Sequence, residues 1–229
     1  VSDCGKGAAP LATVVVTFYR GRELLAEALR SLDRQTWKGF DAVLVDDGSA
    51  EDVSGGEFAR PWLRYLRQEN AGAPAAKNRG VAAGKGRYVS FLDYDDVMHP
   101  ERLARLLAAS ERTPAAAVVV GGIKNFRTTS VQTDIEPVVA GVCGGGVLVR
   151  RDVFGKDGAG PFDEGLRLNY FMDWWMRLDR ARFPVVECRD AVCYRRLHDA
   201  NSSLIGAETL KKGATRVIFD ALKRRRQGG

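Results

Sequence analysis

Two short acidic runs, Asp46-Asp47 and Asp93-Tyr94-Asp95-Asp96, are the residues of this chain best placed by type and spacing to do chemistry. Carboxylates this close repel one another unless a cation or a set of hydrogen-bond donors joins them. Mg²⁺ or Mn²⁺ usually takes one or two carboxylates and completes its shell with water and phosphate oxygens, so a phosphorylated ligand fits this pattern. On an extended segment Asp93 and Asp95 would lie on one side, because side chains alternate with a period of two. The competing account is that loop aspartates only cap turns and helices. Position argues against it: Asp93 directly follows the apolar run Tyr88-Val89-Ser90-Phe91-Leu92 and precedes a helix start at Pro100-Glu101-Arg102-Leu103.

The elements that must hold these residues alternate along the chain. Thr13 to Phe18 is a β-branched run of the kind buried on both faces of a sheet. Leu24, Leu25, Ala28, Leu29 and Leu32 then recur at helical spacing, and Ala42 to Val45 forms a second strand that ends in Asp46. Leu63 to Leu66, a helix around 74–83, the strand 88–92 and a helix carrying Leu103, Leu106 and Leu107 continue the alternation. Ala117 to Val120 is another strand, after which a glycine-rich stretch from Gly121 to Gly165 loosens the pattern. A helix over about 172–182, strand-like segments over 184–194 and a last amphipathic helix carrying Leu210, Ala214, Val217, Ile218, Ala221 and Leu222 follow. Ligands of open parallel sheets bind outside the carboxyl ends of the strands, so both acidic runs converge on one rim.

Composition bounds the function. With 229 residues and 45% apolar side chains the chain can bury a core of single-domain α/β size. It has no apolar run long enough to cross a membrane, and Val1 to Pro10 lack the basic-then-apolar order of a secretory signal, which predicts a cytoplasmic protein. Cys4, Cys143, Cys188 and Cys193 form no CxxC pair, and Cys188 and Cys193 sit in apolar stretches as reduced core residues. Residues 207–229 hold +5 of the formal +6 charge, so the body is close to neutral and nucleic acid is not expected as a partner. The basic amphipathic tail either packs on the domain or makes peripheral contact with an anionic membrane.

Several segments in order, Val16-Thr17-Phe18-Tyr19-Arg20, Val45-Asp46-Asp47-Gly48-Ser49, Asn70-Ala71-Gly72, Ala75-Ala76-Lys77-Asn78-Arg79-Gly80 and Phe91 to Asp96, resemble glycosyltransferase family 2 over most of Thr13 to Leu204. The resemblance implies an A-type glycosyltransferase fold: α/β, a single Rossmann-like nucleotide-diphospho-sugar transferase domain with a mixed, mostly parallel sheet flanked by helices. Residues 1–206 would be catalytic, divided into a nucleotide-sugar half (1–120) and an acceptor half (121–206), with 207–229 a basic helix and tail. The implied reaction is an inverting, Mn²⁺- or Mg²⁺-assisted transfer of a sugar from a nucleoside-diphosphate donor, UDP-sugar foremost, to a saccharide or lipid-linked acceptor. By the same resemblance Thr17, Phe18, Asp46 and Asp47 would contact base and ribose, Asp93 the ribose or sugar and Asp95 the metal, with Tyr94 and Asp95 also in the nucleotide-sugar site. Lys77, where the family usually has arginine, would reach the diphosphate as a point charge without the planar fork. Tyr194-Arg195-Arg196-Leu197-His198 is similar to the family's Arg-x-His segment, which makes Arg196 a phosphate partner and His198 a metal or diphosphate ligand, against the alternative of a satisfied imidazole.

The chain departs from the family where an inverting enzyme needs its general base. Aligned on Trp175-Met176-Arg177-Leu178, Tyr170 and Phe171 stand where the family has an acidic pair. Asp173 is the only carboxylate between Glu164 and Asp179; it is either the base or the structural partner of Arg177 one turn later. Asp163 and Glu164 read as support for a turn. Trp174 and Trp175 either face a sugar ring or join the core, with at least one buried. Gly144-Gly145-Gly146 either lets an acceptor approach the backbone or bends a strand. Two other functions remain open: a nucleotide-sugar-binding protein with weak or lost turnover, and a sugar nucleotidyltransferase, for which the amino terminus lacks a Gly-rich triphosphate loop.

Overall fold

The computed structural model describes residues 9–127, 139–140, 144–166 and 168–198. The β-branched run near the amino terminus forms β1 (Ala12–Phe18), buried along its whole length. The helical stripe that follows becomes α1 (Arg22–Asp33), whose first two amides, of Gly21 and Arg22, donate to the Glu51 carboxylate at 2.7 and 2.9 Å. Gly21 holds a left-handed φ of 90°, and a Cβ there would stand 3.1 Å from the Tyr94 ring, so glycine meets both demands. Next come β2 (Phe40–Asp46), β3 (Leu63–Arg67), α2 (Ala73–Ala83), β4 (Tyr88–Asp93), the two-residue β5 (Val97–Met98) and α3 (Arg102–Arg112). The second half supplies β6 (Val118–Phe126), β7 (Val139–Ala140), β8 (Val147–Arg150), α4 (Tyr170–Arg180) and β9 (Val185–Arg196).

Among the described residues the nine strands belong to one sheet of order β3-β2-β1-β4-β8-β6-β9-β5, with β7 paired to β6. β1 runs parallel to β2 and β4, β2 to β3, and β6 to β9. Because β8 is antiparallel to both β4 and β6, strands β1, β2, β3, β4, β6 and β9 all point the same way. Their carboxyl ends form the rim that the acidic runs occupy, and strands from both sides of residue 120 contribute to it. The mixed, mostly parallel sheet with flanking helices is the architecture expected from the sequence.

Some elements differ from the sequence expectation. β5 is too short to show a period, β6 continues to Phe126, and the strand-like pieces after 184 form one long β9 with a bulged register against β6. α4 starts at Tyr170, two residues early, from Asn169 in a left-handed conformation. Trp174 and Trp175 are both buried, and the Trp174 indole donates to the Gly160 carbonyl at 3.0 Å, so neither offers a face to a sugar. Cys188 and Cys193 are buried thiols outside any disulfide, as expected. Cys4, Cys143 and the basic helix and tail of 207–229 lie outside the described residues. Among the described residues no helix is long and apolar enough to cross a membrane.

α2 rests on the sheet through Gly80, where a Cβ would overlap the Val15 side chain on β1. Overpacking of this kind typically costs about 1–3 kcal/mol. Gly80→Val should therefore lower the unfolding free energy read from urea melts by about that amount, and an unchanged value would mean that α2 does not seat on β1 in this way.

Candidate active site

The first carboxylates on the rim are internal anchors. Asp46 is fully buried: Oδ1 accepts from the Ser49 amide at 2.7 Å, and Oδ2 accepts from the Tyr65 hydroxyl at 2.8 Å and Arg67 at 2.7 Å. Asp47 accepts from Gln68 Nε2 at 2.8 Å and from the amides of Ala71 and Gly72, both at 2.9 Å. These bonds fold the 68–72 segment over the end of β2 and set the entry into α2. Beside it, Gly48, Arg67, Gln68, Glu69 and Asn70 line an open cleft of about 560 Å³.

At the end of β1 the strand alternation assigns the side chains. Thr17 points into the site, with Oγ1 3.5 Å from Lys77 Nζ. The Phe18 ring does not reach the rim, contrary to the sequence expectation. It is buried in the core against Tyr94, edge to face at 5.9 Å. Tyr19, one residue on, is 49% exposed. It is the aromatic face available at this strand end, and the same period-two rule applied to the sequence would have found it.

Asp93, Asp95 and Asp96 do not lie on an extended segment. The chain turns after β4, with the Asp96 amide bonded to the Asp93 carbonyl at 3.1 Å, so alternation ends at Asp93. Each carboxylate goes to a different partner. Asp93 Oδ1 meets Lys77 Nζ at 2.5 Å. Asp95 Oδ2 lies 3.0 Å from His198 Nε2. Asp96 Oδ1 accepts from the Arg196 amide at 3.0 Å.

The charges follow these partners. Burial disfavours the charged form of both Lys77 and Asp93, but their mutual attraction outweighs it, raising the lysine's pKa and lowering the aspartate's. Asp95 is raised by burial and by the Asp93 charge, with the His198 hydrogen bond opposing. Asp96 is raised well above the ordinary carboxylate range by burial and by its two acidic neighbours.

Two residues assigned to phosphate by resemblance occupy internal positions. Lys77 is only 1% exposed and lies beneath Asp93. Arg196 is 5% exposed: Nη2 pairs with Glu27 at 2.5 Å, Nε donates to the Asp95 carbonyl at 3.1 Å, and the guanidinium lies 4.6 Å over Phe126. Both position the acidic turn. His198 reaches Asp95. Among the described residues no group of three His, Cys, Asp or Glu could hold a metal alone. Asp95 and His198 do fit an ion that takes few protein ligands and fills its shell with water and phosphate oxygens.

The α4 end of the site is aromatic. Phe171 packs edge-on to Phe91 at 6.3 Å, and Gly144 runs between it and Lys77. Gly145 must be glycine, since a Cβ would come within 2.8 Å of Cys193 Sγ. Asp173 Oδ2 pairs with Arg177 Nε at 2.9 Å, and Arg177 also donates to the Ala159 and Pro161 carbonyls. Asp163 and Glu164 support their turn through Gly165 and Asn78, both at 2.9 Å.

This is a mixed, mostly parallel α/β sheet with an acidic turn at its strand ends. The sequence profile of glycosyl transferase family 2 matches residues 13–138, more than half of the chain. The chain belongs to that family. Relatives include the glycosyltransferase GlyG of Streptococcus pneumoniae, 33% identical over 51% of this chain and 40% of that protein. The uncharacterized glycosyltransferase EpsJ of Bacillus subtilis is 30% identical over 56% of this chain and 39% of that protein. The chain thus spans about two fifths of the length of these curated relatives. The crystal structure of S. aureus TarS 1-349 in complex with UDP shares the fold, with a TM-score of 0.65 at 19% identity over 81% of this chain and 60% of that one. The UDP-GlcNAc complex of the same protein gives a TM-score of 0.66 at 18% identity, over 92% of this chain and 66% of that one.

A carboxyl whose pKa is raised by folding costs stability progressively as pH climbs above its ordinary value, here 3.8. Asp96→Asn keeps an oxygen acceptor for the Arg196 amide and removes that cost. Its stability relative to wild type should increase between about pH 4 and pH 7 in urea melts; a constant offset across that range would mean Asp96 carries no such burden.

Proposed function

We propose that the chain binds a nucleoside-diphosphate sugar, UDP-sugar foremost, across the strand ends and transfers the sugar, with inversion, to a saccharide or lipid-linked acceptor. The observation that carries this reading is the Asp95–His198 pair, 3.0 Å apart, which joins the turn after β4 to the segment after β9. The TarS complexes with UDP and UDP-GlcNAc support the choice of donor base. In this reading Tyr19 offers its exposed ring to the base at the edge of the cleft that Asp47 shapes. The Asp93 side chain, 43% exposed on its outer side, accepts from ribose or sugar hydroxyls while Lys77 fixes it from beneath. Asp95 and His198 hold Mn²⁺ or Mg²⁺, which when bound stabilises the negative charge of the departing diphosphate. Cytoplasmic placement, with the basic 207–229 segment on a membrane face, belongs to the same proposal.

Asp173 is the proposed base. Only its Oδ2 is engaged by Arg177, its side chain is 38% exposed, and the salt bridge holds the carboxylate in one orientation, leaving Oδ1 to take the acceptor proton. A second reading has its own observation: Tyr170 and Phe171 make the start of α4 aromatic, which suits a nucleotide-sugar-binding protein with little turnover.

A panel of nucleotide sugars with Mn²⁺, followed by product detection, tests the first reading. His198→Ala should weaken Mn²⁺ binding by about 10- to 100-fold, judged by the effect of losing groups around metal sites. Asp173→Asn should cut turnover by about 10²- to 10⁴-fold with nucleotide affinity kept. Absence of turnover in the wild type, with nucleotide binding intact, would favour the second reading; absence of both would end the proposal.

A further inference from the structure

The donor diphosphate would enter a rim that already carries Asp93, Asp95 and Asp96, so beside a divalent ion on Asp95 and His198 it calls for a side-chain cation. The two cations that the family resemblance offers are turned inward. Lys77 lies under Asp93, and Arg196 is clamped between Glu27, the Asp95 carbonyl and the Phe126 ring.

The strand geometry directs attention to the neighbour of Arg196. At the carboxyl end of β9, Arg195 pairs in register with Asn125 and Arg196 with Phe126. Consecutive side chains on a strand point to opposite faces. Arg196 takes the face of α1, where Glu27 stands. Cys193, two residues before Arg195 and on its face, lies against Gly145, and a Cβ on that glycine would be 3.5 Å from Asp96 Oδ2. Arg195 is thus directed to the side of the glycine turn and the Asp96 carboxylate, and it is only partly buried.

We propose that Arg195 is the diphosphate-binding cation of the donor site, the role that the resemblance assigns to its neighbour Arg196. The inference rests on the donor-binding reading above. A guanidinium at this position suits the role because its planar fork can pair two phosphate oxygens at once and stays charged beside the carboxylates. The division of labour is then plain: Arg196 holds the acidic turn from behind, and Arg195 faces the ligand.

Calorimetric titration with UDP, GDP and TDP and with the matching monophosphates, all with Mn²⁺, separates the outcomes. For the best diphosphate, R195Q should weaken binding by about tenfold or more, as expected for a lost charge-assisted pair, and weaken the monophosphate by clearly less. R195K should lie between R195Q and the wild type, since it keeps the charge and loses the fork. Diphosphate affinity within twofold of wild type, or equal losses for diphosphate and monophosphate, would overturn the assignment. If melting curves show that R195Q does not fold, R195K carries the test: a partial loss confined to the diphosphate supports the role, and unchanged affinity for both nucleotides overturns it. Wild-type protein that binds no nucleotide would overturn the donor-binding reading itself, which distinguishes that failure from the failure of Arg195.

Discussion

Three carboxylates within four residues share one partly buried turn because each is held by a different partner. Two unit charges 4 Å apart repel by about 4 kcal/mol at the effective dielectric of a protein surface, so an unpartnered cluster would open. Lys77 holds Asp93, His198 holds Asp95, and the Arg196 amide holds Asp96. Much of the surrounding architecture serves this requirement. α2 is pressed onto β1 at Gly80, which brings Lys77 beneath the turn, and β9 runs long enough to deliver both Arg196 and His198 to the rim.

The same arrangement divides the polar residues into those that fix the site and those that can meet a ligand. Asp46, Asp47, Lys77, Asp96 and Arg196 are buried, and their hydrogen bonds hold loops and strand ends together. Tyr19, the outer side of Asp93, and the Asp95–His198 pair remain at the surface of the rim. A site built this way has a stiff frame, because displacing any anchor would leave a buried polar group unsatisfied. Specificity then depends on the few outward groups and on the loops around them.

The apolar parts of the fold were legible in the sequence because a strand buried on both faces leaves an unbroken β-branched run, as β1 and β2 do. The acidic runs were legible as strand ends for the same reason. What local pattern could not supply was the partners. Asp93 and Lys77 are 16 residues apart, and Glu27 and Arg196 are 169 apart, so whether a cation faces ligand or core is decided by packing between distant elements. The Asp93-x-Asp95 side-by-side reading failed on one backbone hydrogen bond, which turned the chain where an extended path was assumed. Phe18 and Tyr19 mark the opposite case, since strand alternation alone separates the core ring from the exposed one.

The aromatic start of α4 ties the two ends of the site together. Phe171 sits among Phe91, Phe162 and Trp174, and Phe91 also lies 5.5 Å from Lys77 Nζ. An apolar wall at this place lowers the local dielectric, which strengthens the Lys77–Asp93 attraction and makes any loss of either partner more costly. It also moves the nearest carboxylate of α4 to Asp173, where Arg177 links it to the carbonyls of Ala159 and Pro161. The orientation of Asp173 is therefore set by the 159–161 loop rather than by the acidic turn. In the proposed reading, donor binding and proton removal rest on separate frames, and their relative placement depends on how Phe171 packs against Phe91.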